Sequence, residues 1–230
     1  MLRDPHLVRS YLALRKSIGV IGMGLPFVLA LGGFYLMNIP LQPSVSAYYH
    51  TGMRDVFVGS LCAIAVFLWS YRGYGRRDSM AGNLASLAAL GIAFFPTAGP
   101  DAAPQQQMLG RLHMVSTMVF FLTLAYFSLF LFRLSDRQHP SRRKLASNGI
   151  YRICGYVIVL CVLAMGLIYF APVPSGMRGY RPMFWVESVA VLAFGLSWFV
   201  KGQAMLKDGG PPPESERVPP RIPRRDSAAE

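Results

Sequence analysis

The sequence predicts an all-α, polytopic membrane protein: a bundle of six transmembrane helices with both termini in the cytoplasm. Three observations predict it. Of the 230 residues, 53% are hydrophobic and only 15% are charged, against about 25% charged in an ordinary soluble domain. Six apolar stretches, near 18–37, 55–71, 82–98, 113–132, 153–171 and 184–200, each approach the ~20 residues that cross a bilayer as a helix. The third observation is where the basic residues fall. Lys+Arg number 23 against 11 Asp+Glu, a formal net charge of +12, which in a soluble chain points to nucleic acid or an acidic surface. Here 19 of the 23 lie before residue 18, at 72–81, at 133–152 or after 200, while Arg54, Arg111, Arg178 and Arg181 are all that the alternate loops hold. That asymmetry is the positive-inside pattern of a multi-pass protein of the cytoplasmic (cell) membrane, N- and C-terminus inside. The expected partner is the lipid bilayer, and no nucleic acid.

The first stretch follows Arg9, Arg15 and Lys16 as a signal peptide would. Its apolar core exceeds the 7–15 residues of a signal h-region and no A-x-A site follows it, so it is expected to stay as a span. Gly19, Gly22 and Gly24 invite close helix approach, and Pro26 should loosen the helix. The second stretch offers Gly59 and Ala63 for packing and ends on Trp69 and Tyr71. The third is the weakest, carrying Asn83 and Ser86 and ending at Pro96, so neighbouring helices should shield it; Ala81, Ala85 and Ala89 supply the small face. His113 opens the fourth, with Ser116 and Thr117 one turn below it, then Phe120 and Phe121 as an apolar seal. The fifth holds Cys154 and Cys161. With Cys62 they form no C-x-x-C pair and read as packing residues rather than disulfide or metal ligands. Trp185 and Trp198 frame the sixth and, with Trp69 and Tyr71, suggest aromatic belts at the two interfaces.

The segment 203–230 differs in kind. Gly209 and Gly210, then Pro211, Pro212, Pro213, Pro219, Pro220 and Pro223 among charges, describe a disordered Pro/Arg-rich cytoplasmic tail. Arg221, Arg224 and Arg225 are able to touch anionic headgroups at roughly 1 kcal/mol each. The Arg142, Arg143, Lys144 cluster reads first as a topology determinant.

Topology gathers the polar residues at the outer surface. Ser44, Ser46, Tyr48, Tyr49 and His50 lie in the first outer loop, Arg54 and Asp55 at the mouth of the second helix, His113 at the start of the fourth, and Glu187 in the outer part of the sixth. Together they form the candidate site for a lipid headgroup, a small ligand or a partner protein. Glu187 is the most informative, because an acid at a helix centre costs roughly 2.5–3.5 kcal/mol on insertion scales. It is expected either to pair with Arg54, Arg111, Arg178 or Arg181, or to serve a ligand, a proton or a metal. A second reading is a metal-dependent membrane lipid hydrolase using His50, Asp55, His113 and Glu187, with Ser44 or Ser46 beside a metal-bound water. No H-E-x-x-H pair or G-x-S-x-G elbow supports it. A third is a small proton-coupled transporter using Glu187, although the inner halves of the helices lack matching polar residues. Haem on His50 and His113 is disfavoured, since one is in a loop and the other at a helix end. No cofactor is expected, and no reaction is named by these residues.

Several runs carry a resemblance: Ser44-Val45-Ser46-Ala47-Tyr48-Tyr49, Arg54-Asp55-Val56-Phe57-Val58-Gly59, Tyr71-Arg72-Gly73-Tyr74, Phe95-Pro96-Thr97, and Phe194-Gly195-Leu196-Ser197-Trp198 with Lys201-Gly202. Over nearly the whole chain to about 202 they resemble a group of uncharacterised bacterial six-helix integral membrane proteins. The Ser-x-Ser loop followed by a Phe- and Gly-containing helix is more distantly similar to the DRAM and FGF-receptor-activating multispan family. Both resemblances imply the fold and neither implies an activity. Membrane hydrolases related to alkaline ceramidases also use Ser, Asp and His on a helical bundle, but this chain lacks their paired His on the last helix.

Overall fold

A computed structural model describes residues 5–71, 75–98, 102–133, 142–171 and 174–208. Every regular element among them is helical: α1 (Pro5–Phe27), α2 (Gly33–Met37), α3 (Arg54–Trp69), α4 (Arg76–Phe94), α5 (Pro104–Tyr126), α6 (Arg142–Phe170), α7 (Ser175–Arg178) and α8 (Pro182–Asp208). A π-helical stretch, Val28–Gly32, joins α1 to α2 in one continuous run. Pro26 lies just before it and has no N–H to give the preceding turn, so a locally wider helix is the relaxation its position favours. The run stops at Asn38, which takes the left-handed conformation that asparagine tolerates. A second π-helical stretch, Phe127–Leu131, extends α5.

The long helices close into a ring in chain order. Each packs on its neighbour, α1 on α3, α3 on α4, α4 on α5, α5 on α6 and α6 on α8, and α8 returns to pack most extensively on α1. Small residues let the α1–α8 seam close. A Cβ at Gly195 would lie 2.7 Å from the Gly19 carbonyl oxygen, one at Gly19 would lie 2.7 Å from the Gly195 oxygen, and one at Gly202 would lie 2.9 Å from Lys16. The two helices therefore run antiparallel with their backbones in contact, the close approach that drives helix association in lipid. Ala81, Ala85 and Ala89 are buried on α4, where Ser86 donates to the Ala65 carbonyl at 2.7 Å. Gly24 and Gly59 meet nothing within 4 Å, so these two expected packing positions are not part of any seam.

Four helical stretches are long and apolar enough to cross a membrane: Leu12–Met37, Pro104–Leu131, Lys144–Phe170 and Pro182–Gly202. The two other expected spans fall short for different reasons. With 16 residues, α3 reaches roughly 24 Å at 1.5 Å per residue, less than the ~30 Å of hydrocarbon. For its part, α4 begins on Arg76, Arg77 and Asp78 and carries Asn83.

Helix starts lie ahead of the apolar stretches, since polar residues extend helices beyond what lipid requires, while α3 and α4 end short of theirs, at Trp69 and Phe94. His113 thus lies well inside α5, which starts at Pro104, and does not open the helix. Helix α8 continues to Asp208, past the expected start of the tail at 203; residues 209–230 lie outside the described residues. The aromatic belts are half realised. Trp69 and Trp185 are exposed, whereas Trp198 and Tyr71 are fully buried, the indole packing against Tyr71, Phe127, Phe132 and Phe194 at centroid distances of 5.2, 5.3, 5.1 and 6.2 Å.

Candidate functional site

At the ring end opposite Arg15, the chain between α2 and α3 folds over the helix ends as a cap. Its centre is a 3₁₀ turn, Ser46–His50. Two contacts fasten it to α8. The Phe184 N–H donates to the Pro43 carbonyl at 3.0 Å, and Glu187, one turn further along, accepts from the cap through both carboxylate oxygens. Oε2 receives the Ser46 peptide N–H at 3.1 Å and Oε1 receives the Ser46 hydroxyl at 3.3 Å, with the Val45 N–H also turned to the carboxylate. Peptide N–H groups at the start of a helical turn have no partner within it, and a carboxylate supplies one. Glu187 and Ser46 are both buried. The carboxylate is met by backbone and hydroxyl donors, which sequence reading passed over because peptide groups leave no mark in a list of charges.

Beneath the cap, the buried Tyr48 ring packs beside Phe184 at 6.4 Å. A Cβ on Gly33 would lie 3.2 Å from that ring, so glycine makes room for it. Burial pushes the Tyr48 hydroxyl above the ordinary phenol pKa, while the Gln42 peptide N–H pulls it down. Ser44 stays local, its hydroxyl accepting from the Ala47 N–H at 2.9 Å.

The two histidines fasten the connection from α4 to α5. His113 Nδ1 donates to the Phe95 carbonyl at 2.8 Å, and the Ile92 carbonyl also faces its ring. Both acceptors are carbonyls left over where α4 ends. His50 Nε2 donates to the Thr97 carbonyl at 2.8 Å, with the Thr97 hydroxyl at 3.2 Å. Thr97 was not among the expected site residues; the only trace of its role is its place after Pro96, where the helix has to stop. Below the histidines, Ser116 fills the notch left by Gly91, and Thr117 donates to the His113 carbonyl at 2.9 Å. The polar face expected beneath His113 is occupied by packing.

Of the nine expected site residues, Ser46 and Glu187 meet each other, while His50 and His113 hold the same connecting segment. Arg54 and Asp55 are exposed in the first turn of α3. The Arg54 guanidinium lies over the half-buried Tyr49 ring at 4.6 Å and donates to the Tyr49 hydroxyl at 2.9 Å. No group of three or more His, Cys, Asp or Glu able to hold a metal ion occurs among the described residues. Glu187 holds the cap, His50 and His113 hold the α4–α5 connection and Asp55 is exposed, so the hydrolase reading gains no support from the geometry.

Comparison with protein-family models, with curated proteins and with solved structures finds no match.

Proposed function

We propose that the chain is a six-span protein of the cytoplasmic membrane, both termini inside, whose outer cap binds a zwitterionic phospholipid headgroup. The described residues are all helical and include four stretches able to cross a bilayer. Six spans are supported by the ring: α3 and α4 occupy consecutive places between α1 and α5, and removing either from the bilayer would open it. The side-to-side bias of 19 basic residues against 4 supports the orientation. The likeness to uncharacterised bacterial six-helix membrane proteins belongs to the same proposal.

Arg54 carries the headgroup reading. It is exposed, yet its guanidinium is held over the Tyr49 ring and bonded to the Tyr49 hydroxyl, so a fork of donors is pre-oriented at the outer mouth, the geometry that recognises phosphate. Asp55 follows it, exposed, and offers an anion to the headgroup's ammonium. Ser46, Glu187, His50 and His113 hold the platform. Ser44 and Tyr48 serve it from within.

Titration of the purified full chain with dihexanoyl phosphatidylethanolamine tests the site. Saturable binding that weakens about tenfold in Arg54→Gln, with unchanged thermal stability, is expected; equal binding by that variant overturns the headgroup assignment. Cysteine labelling in intact cells tests the topology. Position 52 should react from outside and position 140 should not.

A further inference from the structure

The outer mouth holds one hydrogen-bond donor that has no role so far. Tyr49 stands between two anchors. Its ring is edge-on to that of His50, with centroids 5.3 Å apart, and the Arg54 guanidinium lies over its face at 4.6 Å. His50 is tied in turn to the segment after α4, through the Thr97 carbonyl at 2.8 Å and the Thr97 hydroxyl at 3.2 Å. Edge-on ring pairs and cations over a ring face are both attractive, so the half-buried Tyr49 ring has a defined place at the mouth.

A phenol oxygen accepts through its lone pairs and donates its own proton. Arg54 uses the first capacity, its Nη2 donating to the Tyr49 hydroxyl at 2.9 Å in an exposed position. The second is unspent. Among the described residues no acceptor takes the Tyr49 proton, whereas the Ser46, Thr51 and Thr117 hydroxyls each donate within the fold. Tyr48, its neighbour in the chain, has a buried hydroxyl and is no alternative. Because the Tyr49 oxygen already accepts from a cation, its proton is the better donor, since linked hydrogen bonds polarise one another. The other N–H groups of the guanidinium stay available. A cationic donor and a neutral one therefore stand 2.9 Å apart at the mouth, close enough to meet oxygens of one anion.

We propose that Tyr49 is a second phosphate-contacting residue of the outer cap: Arg54 and the Tyr49 hydroxyl donate together to the non-bridging oxygens of one phosphodiester. Tyr49 takes this role only where Arg54 binds a headgroup, so it rests on that reading, and it names the part recognised, the phosphodiester that phospholipid headgroups share. A guanidinium alone attracts any anion. A hydroxyl fixed beside it adds a short, directional bond to a charged oxygen, which orients the phosphate as well as holding it.

A double-variant cycle on the purified full chain in maltoside separates direct contact from support of Arg54. Dihexanoyl phosphatidylethanolamine is titrated into the native chain, Tyr49→Phe, Arg54→Gln and the double variant, with dihexanoyl glycerol as the phosphate-free control. Phenylalanine keeps the ring that faces Arg54 and His50 and removes only the hydroxyl. Tyr49→Phe should weaken phosphatidylethanolamine binding about fivefold, with the melting temperature and the response to the glycerol unchanged. In the Arg54→Gln background the same substitution should weaken binding further, by about threefold or more. No effect in that background means that Tyr49 acts only by holding Arg54, and overturns the direct contact. Native affinity in Tyr49→Phe, or an equal loss with the glycerol, overturns it too; in either case a tenfold loss in Arg54→Gln leaves the headgroup reading standing. Absence of saturable binding by the native chain removes the headgroup reading itself, and the role of Tyr49 with it.

Discussion

Glu187 on the last long helix receives the peptide N–H and the hydroxyl of Ser46, 141 positions earlier in the chain. One acidic side chain thereby ties the cap to the helix that closes the ring. Glu187→Ala leaves buried donors without an acceptor, at about 1–3 kcal/mol or more for a charged partner. Ser46→Ala removes the hydroxyl bond and keeps the peptide one, at about 0.5–1.5 kcal/mol. Thermal unfolding in detergent should rank Glu187→Ala below Ser46→Ala, and the reverse order would show that the carboxylate does not carry the latch.

Gly195 and Gly24 provide a matched pair. A Cβ at Gly195 would fall 2.6 Å from Met23 and 2.7 Å from the Gly19 oxygen, whereas one at Gly24 meets nothing within 4 Å. Gly195→Ala should therefore part α1 from α8 and destabilise by about 1–3 kcal/mol. Gly24→Ala should be neutral or slightly stabilising, through better helix propensity. Chemical unfolding of the two variants side by side distinguishes seam from surface.

The histidines differ in burial, and their variants should differ in cost. His113→Ala takes the donor from the part-buried Phe95 carbonyl and leaves a void where a buried ring stood, for a loss of about 2–4 kcal/mol. His50 is exposed and water replaces its bond to Thr97, so His50→Ala should cost under about 1 kcal/mol. Amide exchange at Phe95 and Thr97 reads the effect locally. Both amides should quicken, Phe95 more in the His113 variant and Thr97 more in the His50 variant.

Tyr48 predicts an alkaline limit. Its folded pKa is raised, so between the unfolded value near ~10 and the folded one the native chain keeps a proton that the unfolded chain gives up. Stability contributed by the neutral phenol is whole below the unfolded value and falls as pH rises through that window. In Tyr48→Phe this part of the slope should vanish while stability at neutral pH changes little. Unfolding curves at pH 8 and pH 11 measure it, and an unchanged slope would place the loss elsewhere.

Hydropathy made the helices legible, because an apolar run long enough to span is visible without any partner. The difficult cases were those where partner and purpose diverge. Trp198 and Tyr71 sit where interfacial aromatics belong, yet both are buried under Arg15 and Phe132; sequence position gives depth but not the direction in which a ring points. Gly59 and Gly195 look alike in the sequence, and only the second faces another backbone. Glu187 was identifiable as compensated, since an acid in an apolar helix requires it. Its compensation came from peptide groups, which every residue has. Lys144 and Lys201 were read as loop charges marking the inner side, and their convergence on the Phe132 carbonyl is a meeting of three helices at one helix end, which no residue type announces.

Because the seam joins α1 to α8, biosynthesis cannot close the ring until α8 has left the ribosome. Gly19 and Gly22 must wait while every intervening helix is made before Gly195 and Phe194 arrive to cover them. A chain halted before α8 would leave an open horseshoe with a narrow groove along α1, a form that quality-control proteases or a neighbouring nascent copy would be the first to meet.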